Sequence, residues 1–147
     1  MGFRAGTPVP DIGTVAAFKV AMLDARKVAI INPASGGSSG VYVEKLFRTM
    51  GIAEAMAPKL VLVHDGLAAE AAADGRADLV VHQISEIVAV PGVAMVGPLP
   101  GEIQSETVYA GAVGTGSAAP DVARAFLEVL SGLDMRPVLL AKGMMSP

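Results

Sequence analysis

Short apolar runs alternate with amphipathic stretches along this chain. Val28-Ala29-Ile30-Ile31, Leu60-Val61-Leu62-Val63 and Ala77 to Val81 are brief, rich in β-branched residues and flanked by turn formers, which predicts three strands. Around them, apolar positions recur near helical spacing. Thr14 is placed to cap a helix over Val15 to Ala25, with Val15, Phe18, Met22 and Leu23 on one face. A second helix is predicted from about Gly40 to Met50 and ends at Gly51. A helical turn over Ile52 to Ala57, stopped by Pro58, and an alanine-rich helix over Leu67 to Ala73 follow. Strands that are apolar throughout and separated by helices belong to parallel βαβ units, so the fold class is α/β. Ligands of such sheets sit beyond the carboxyl ends of the strands.

The flanking segments are less regular. Met1 to Gly13, interrupted by glycine and proline, is expected to be extended and docked on another element. Ile87 to Val96 holds a short strand with a turn at Pro91-Gly92, and Thr107 to Val113 alternates as a returning strand would. Ser117 is placed to cap a helix with Pro120 in its first turn and Val122, Ala123, Phe126, Leu127 and Leu130 on its buried side; Gly132 ends it. Met135 to Ala141 reads as a further short helix despite Pro137, and the tail GMMSP trails off.

Composition narrows the function classes. With 147 residues, 52% of them hydrophobic, the chain suffices for one domain with a sizeable core or two small lobes sharing a hinge. A net charge of -3, scattered Lys and Arg, and 4% aromatics remove the phosphate and stacking contacts that nucleic-acid binding needs. Cysteine is absent, which excludes disulfides and thiolate metal sites. No apolar run approaches the roughly 18 residues of a membrane span, and MGFRAGTPVPDIG lacks the apolar core of a signal peptide.

Candidate chemistry concentrates where strands end. Ser35-Gly36-Gly37-Ser38-Ser39-Gly40 follows a strand and opens a helix, so backbone N–H groups and hydroxyls gather where the helix macrodipole is positive, and an anion is the natural guest. The phosphate-loop lysine is missing, which argues against nucleotide binding of that type. Asp65-Gly66 forms a second strand-to-loop junction, and the third strand delivers His82, Gln83, Ser85 and Glu86. His82, Ser85 and Glu86, with His64 and Asp65, have the residue types of a serine hydrolase but no Gly-x-Ser-x-Gly elbow. His64, Asp65, His82 and Glu86 have the donor types of a metal site, but the two histidines are far apart in sequence, and no metal or cofactor is expected. Tyr42 and Tyr109 are expected to be core rings with surface hydroxyls, and the eight methionines core filler.

These residues carry a resemblance. VAIINPASGGSSGVYVEK (28–45), Gly51-Ile52-Ala53, Pro58-Lys59-Leu60, Gln83-Ile84-Ser85-Glu86, Pro98-Leu99-Pro100 and Ala141-Lys142-Gly143-Met144 resemble the C-terminal part of molybdate-type substrate-binding proteins of ABC transporters. Arg4-Ala5-Gly6-Thr7-Pro8 and Pro10-Asp11-Ile12-Gly13-Thr14 resemble the segment entering that family's second lobe. The resemblance implies a type II periplasmic-binding-protein-like lobe, a mixed sheet with flanking helices. Residues 1–147 would form a single such domain, with about 14–105 as the second lobe and 1–13 and 106–147 as hinge and remnant of the first.

It further implies non-enzymatic binding of an oxyanion such as molybdate, held without metal or countercharge and delivered to an ABC permease. Carried over, the contacts are the amides near Ser39 and Gly66; Gln83 stands where the family has its ligand tyrosine and donates from its amide nitrogen. The candidate ligand-binding set is therefore Ser38, Ser39, Gly40, Asp65, Gly66, Gln83 and Ser85, for a small anion or small organic solute. The first lobe and an export signal are not matched, so the face that would meet that lobe is expected to be either exposed or covered by a homodimer partner. The resemblance places the protein in the periplasm, with the cytoplasm open. An intracellular ligand-sensing or protein-interaction module and a small Ser-dependent hydrolase are the alternatives.

Overall fold

The computed structural model describes residues 1–145; Ser146 and Pro147, the end of the GMMSP tail, lie outside the described residues. The chain divides into two compact units, Met1–Ser105 and Glu106–Pro147.

The first unit is built on a five-stranded mixed sheet, the α/β architecture expected. Its elements are β1 (Gly2–Arg4), α1 (Val15–Asp24), β2 (Val28–Ile31), α2 (Ser38–Thr49), α3 (Ala53–Met56), β3 (Leu60–Val63), α4 (Ala68–Ala73), β4 (Leu79–Val80), α5 (Ile84–Ile87) and β5 (Val93–Met95). The spatial order is β3-β2-β4-β1-β5, with β2 parallel to both β3 and β4, and β1 antiparallel to β4 and β5. The amino-terminal segment, expected as part of a hinge, thus supplies an interior strand.

Each predicted run forms where backbone and side-chain signals agree. Thr14 Oγ1 accepts from the Ala17 N–H at 3.1 Å and caps α1 as expected. After α2, Gly51 N–H donates to Arg48 O and Ile52 N–H to Phe47 O, closing the helix. The third strand is shorter than its apolar run, because Ala77 N–H is taken by Ala71 O at the close of α4. Asp78 then ties the starts of β2 and β4 together. Its Oδ2 accepts from the Arg26 and Lys27 N–H groups and its Oδ1 from Arg26 Nη2. The hydrogen bond from the Arg26 side chain leads in holding the Asp78 carboxyl below the usual carboxylate range.

Alternation along the strands sorts the core onto two faces. Val28 and Ile30 of β2 and Leu79 of β4 join Phe18, Met22, Val43, Phe47 and Met56 beneath α1, α2 and α3. Ala29 and Val80 face the other way, onto Ala68, Ala69, Ala71 and Ala72 of α4 and Ile87 of α5. Small alanines let α4 approach the sheet closely. The result is three layers with buried parallel strands at the centre.

The second unit holds α6 (Pro120–Ser131) and α7 (Arg136–Ala141), joined by a 3-10 turn. Three expectations change here. Ser117 Oγ accepts from the Ala119 N–H, so Ala119 occupies the cap position and Ser117 shapes the turn before it. Thr107 to Val113 forms no strand: alternation supplies faces but does not by itself build a ladder, and Gly111 lies against the Leu127 side chain. Val122 and Phe126, expected on a buried side, are 71% and 61% exposed, and Tyr109 is likewise exposed. Among the described residues of this unit none is buried, because two helices and one extended segment cannot enclose a core. No described helix is long and apolar enough to cross a membrane.

Candidate functional site

Three strand ends build one edge of the first unit. Ile31 pairs opposite Val63, and Ala29 opposite Val80. Continued past the ladder, these registers put Asn32, His64 and Gln83 at one level on neighbouring strands about 4.8 Å apart. From β2 the chain turns to α2 on one face of the sheet; from β3 it turns to α4 on the other. In open α/β sheets, ligands bind where loops part in this way.

Asn32, missed as a functional residue by sequence reasoning, ties this edge together. It is a buried polar side chain, 9% exposed. Its Oδ1 accepts from the Ala34 N–H at 3.0 Å, which fixes the amide's orientation and aims Nδ2 as donor to His64 Nδ1 at 3.1 Å. The same Nδ2 lies 3.4 Å from His64 Nε2, so the amide faces the ring edge. The Asn-Pro pair after an apolar run was the available signal, since Asn accepts from the backbone two residues on. Asn32→Ala leaves the Ala34 N–H without its acceptor and is expected to lower stability by about 1–3 kcal/mol. A shift in the urea midpoint at unchanged slope measures it; no shift would show the tie to be dispensable.

The Ser/Gly loop enters its helix two residues earlier than the sequence suggested. Because α2 begins at Ser38, both serines and Gly40 lie in its first turn, after the Gly37 cap. The first intrahelical donor is the Val41 N–H, to Gly37 O at 3.2 Å. The Ser38, Ser39 and Gly40 N–H groups precede it and have no acceptor within the helix. Gly40 is also buried against β2: a Cβ there would stand 2.2 Å from Ile31 O.

The other two borders follow the neighbouring strands. Asp65 and Gly66 form an exposed bend after β3, with Gly66 in the left-handed region at φ +81°. Gln83 caps α5, and Ser85 and Glu86 lie half-buried within that short helix. His82 lies just before it with its side chain only 3% exposed. Its Nδ1 stands 3.0 Å from Glu86 Oε2, yet neither ring nitrogen makes an aligned hydrogen bond. Burial pushes the His82 imidazole below its ordinary pKa, against the opposing pull of Glu86.

The arrangement offers amide and hydroxyl donors, with no Lys or Arg among the candidate residues. An anion here relies on backbone dipoles. The Ser85–His82 hydrogen bond that a serine hydrolase needs is not formed, since both His82 nitrogens lack one. Among the described residues, His64, Asp65, His82 and Glu86 do not gather into a group able to hold a metal ion.

Comparison with known proteins agrees with this architecture. The family described as bacterial extracellular solute-binding protein matches residues 1–145. An aconitate isomerase from a Pseudomonas species is 34% identical over 145 residues, which cover 98% of this chain and 54% of that protein. The chain thus spans about half the length of this curated relative. The family match runs from β1 through α7, and on it the chain belongs to the bacterial extracellular solute-binding protein family.

Proposed function

We propose that the chain binds a small anionic solute at the edge formed by Ser38, Ser39, Gly40, Asp65, Gly66, Gln83 and Ser85, as part of solute uptake outside the cytoplasm through an ABC permease. The observation that carries this reading is the first turn of α2, whose three N–H groups have no helical acceptor and follow the carboxyl end of the interior strand β2. Backbone donors of this kind suit ligands with several oxygen acceptors. A tetrahedral oxyanion such as molybdate is one such ligand. Gln83 extends the donor set with its amide nitrogen.

A second reading has its own support, the identity to an aconitate isomerase through nearly the whole chain. Under it, the solute is a small polycarboxylate, held by the same donors, and the protein also isomerises it. Both readings share one chemistry, recognition of clustered anionic oxygens.

Calorimetry with molybdate, tungstate, sulfate, citrate and cis-aconitate separates them. Binding of a metal oxyanion supports the first reading, binding of a polycarboxylate the second, and no heat with any of the five overturns both. Ser38→Pro tests the site. Gly37 is extended, as a residue before proline must be, and proline fits a first helical position, so the helix persists while one N–H and one hydroxyl are lost. Affinity should fall by about tenfold.

A further inference from the structure

The His82–Glu86 pair is not used by the binding reading, and it is costly. A buried polar group without a hydrogen bond costs about 1–3 kcal/mol, and such groups are rare in native folds. His82 keeps two such nitrogens on the same edge as the anion site, one residue before Gln83. Glu86 adds a second cost. A carboxylate, 35% exposed, stands on an edge that takes an anion, and like charge opposes the ligand.

The pair is held firmly. Ile87, fully buried, anchors α5, and Glu86 and Ile87 N–H both donate to Gln83 O at 3.1 Å. The i,i+4 spacing then fixes Nδ1 and Oε2 at 3.0 Å. The two groups differ in access. The Glu86 carboxylate is partly open to solvent, whereas the His82 nitrogens are buried.

We propose that Glu86 is the proton acceptor, and His82 its positioning partner, in a proton shift on a bound unsaturated polycarboxylate. The proposal rests on the polycarboxylate reading above and deepens it. Glu86 takes a proton from the sp3 carbon between the double bond and a carboxylate. The C–H electron pair becomes a new C=C bond, and the old double bond's pair accepts the proton back from Glu86 at its far carbon. Nothing is oxidised or reduced, and no co-reactant is needed. While the proton is held, the protonated carboxyl donates to His82 Nδ1 3.0 Å away, which keeps it aimed, and in D2O the held proton exchanges with solvent before it is returned. Neutral His82 suits this role, and its burial favours the neutral form.

The test uses the full chain with cis-aconitate in D2O, followed by proton NMR of the methylene signal and by calorimetry. Wild-type protein should speed deuterium entry at least tenfold over buffer. Glu86→Gln, nearly isosteric, should remove at least a hundredfold of that acceleration or all of it while affinity holds or tightens with the like charge gone, and His82→Gln at least tenfold with affinity within threefold of wild type. Glu54→Gln, on the outer surface at α3, should change neither. Thermal unfolding of each variant shows that the fold persists. Binding of cis-aconitate without exchange overturns this proposal and leaves the binding reading standing, as does exchange by Glu86→Gln at the wild-type rate. Absence of cis-aconitate binding overturns the polycarboxylate reading and this proposal with it.

Discussion

Gly40→Ala is expected to destabilise the first unit by about 3 kcal/mol and to abolish ligand binding together with it. Two effects compete at this position. Alanine is the better helix former by about 1 kcal/mol, which favours the substitution. Against it, the new Cβ would lie 2.2 Å from Ile31 O, 2.9 Å from Ile31 C and 3.3 Å from Pro33 N, where ordinary contact begins at 3.4 Å. These are backbone atoms of the interior strand β2 and its exit. No rotamer relieves the clash, so α2 must move off the sheet by roughly an ångström, and overpacking wins. The same movement displaces the Ser38 and Ser39 amides from the edge. Urea unfolding should show a large drop in midpoint, and calorimetry a loss of heat. Val41→Ala, on the exposed side of the same helix, is the control and should stay within about 0.5 kcal/mol of wild type. Equal stability of Gly40→Ala and wild type would show that α2 does not pack as described.

Phe18→Ala should cost about 3–5 kcal/mol. Phe18 is fully buried on α1 and shares a cluster with Met1, Phe3, Met22, Val28 and Phe47. Residues from two strands and two helices enclose the ring, so the site cannot collapse when it is removed, and a cavity adds to the lost transfer free energy. Domains of this size have about 5–15 kcal/mol in total. The variant should therefore be partly unfolded under mild denaturant, with near-ultraviolet dichroism lost before far-ultraviolet dichroism. A midpoint shift corresponding to under 1 kcal/mol would contradict the packing of α1 on this face. Ligand affinity, measured below the unfolding transition, should change little, because Phe18 lies under α1, away from the strand ends.

The elements were largely legible because their signals are local. Apolar runs of four residues marked β2 and β3, Thr14 marked the start of α1, and Gly51 marked the end of α2. What failed was pairing and burial. Met1 to Gly13 has no periodicity that distinguishes a docked arm from an interior strand, yet Gly2 and Phe3 pair with both β4 and β5. Thr107 to Val113 has the alternation of a strand and forms none, and α6 has the stripe of a buried helix while Val122 and Phe126 stay exposed. Amphipathicity shows which side can be buried, and only a neighbour decides whether it is.

The candidate site divides in the same way. The sequence by itself determined the residue types at each strand end: Ser38 to Gly40, Asp65-Gly66, and His82 to Glu86. Turn chemistry and small side chains are local properties, and residue order places them after apolar runs. Tertiary structure alone decided that β2 lies between β3 and β4, which brings the three strand ends to one edge. It decided that Asn32 is buried and tied to His64, that Gly40 is a packing contact as well as a donor, and that the His82 nitrogens are enclosed. These facts depend on contacts between residues distant in the chain, where burial and steric fit are set by what the sheet brings alongside.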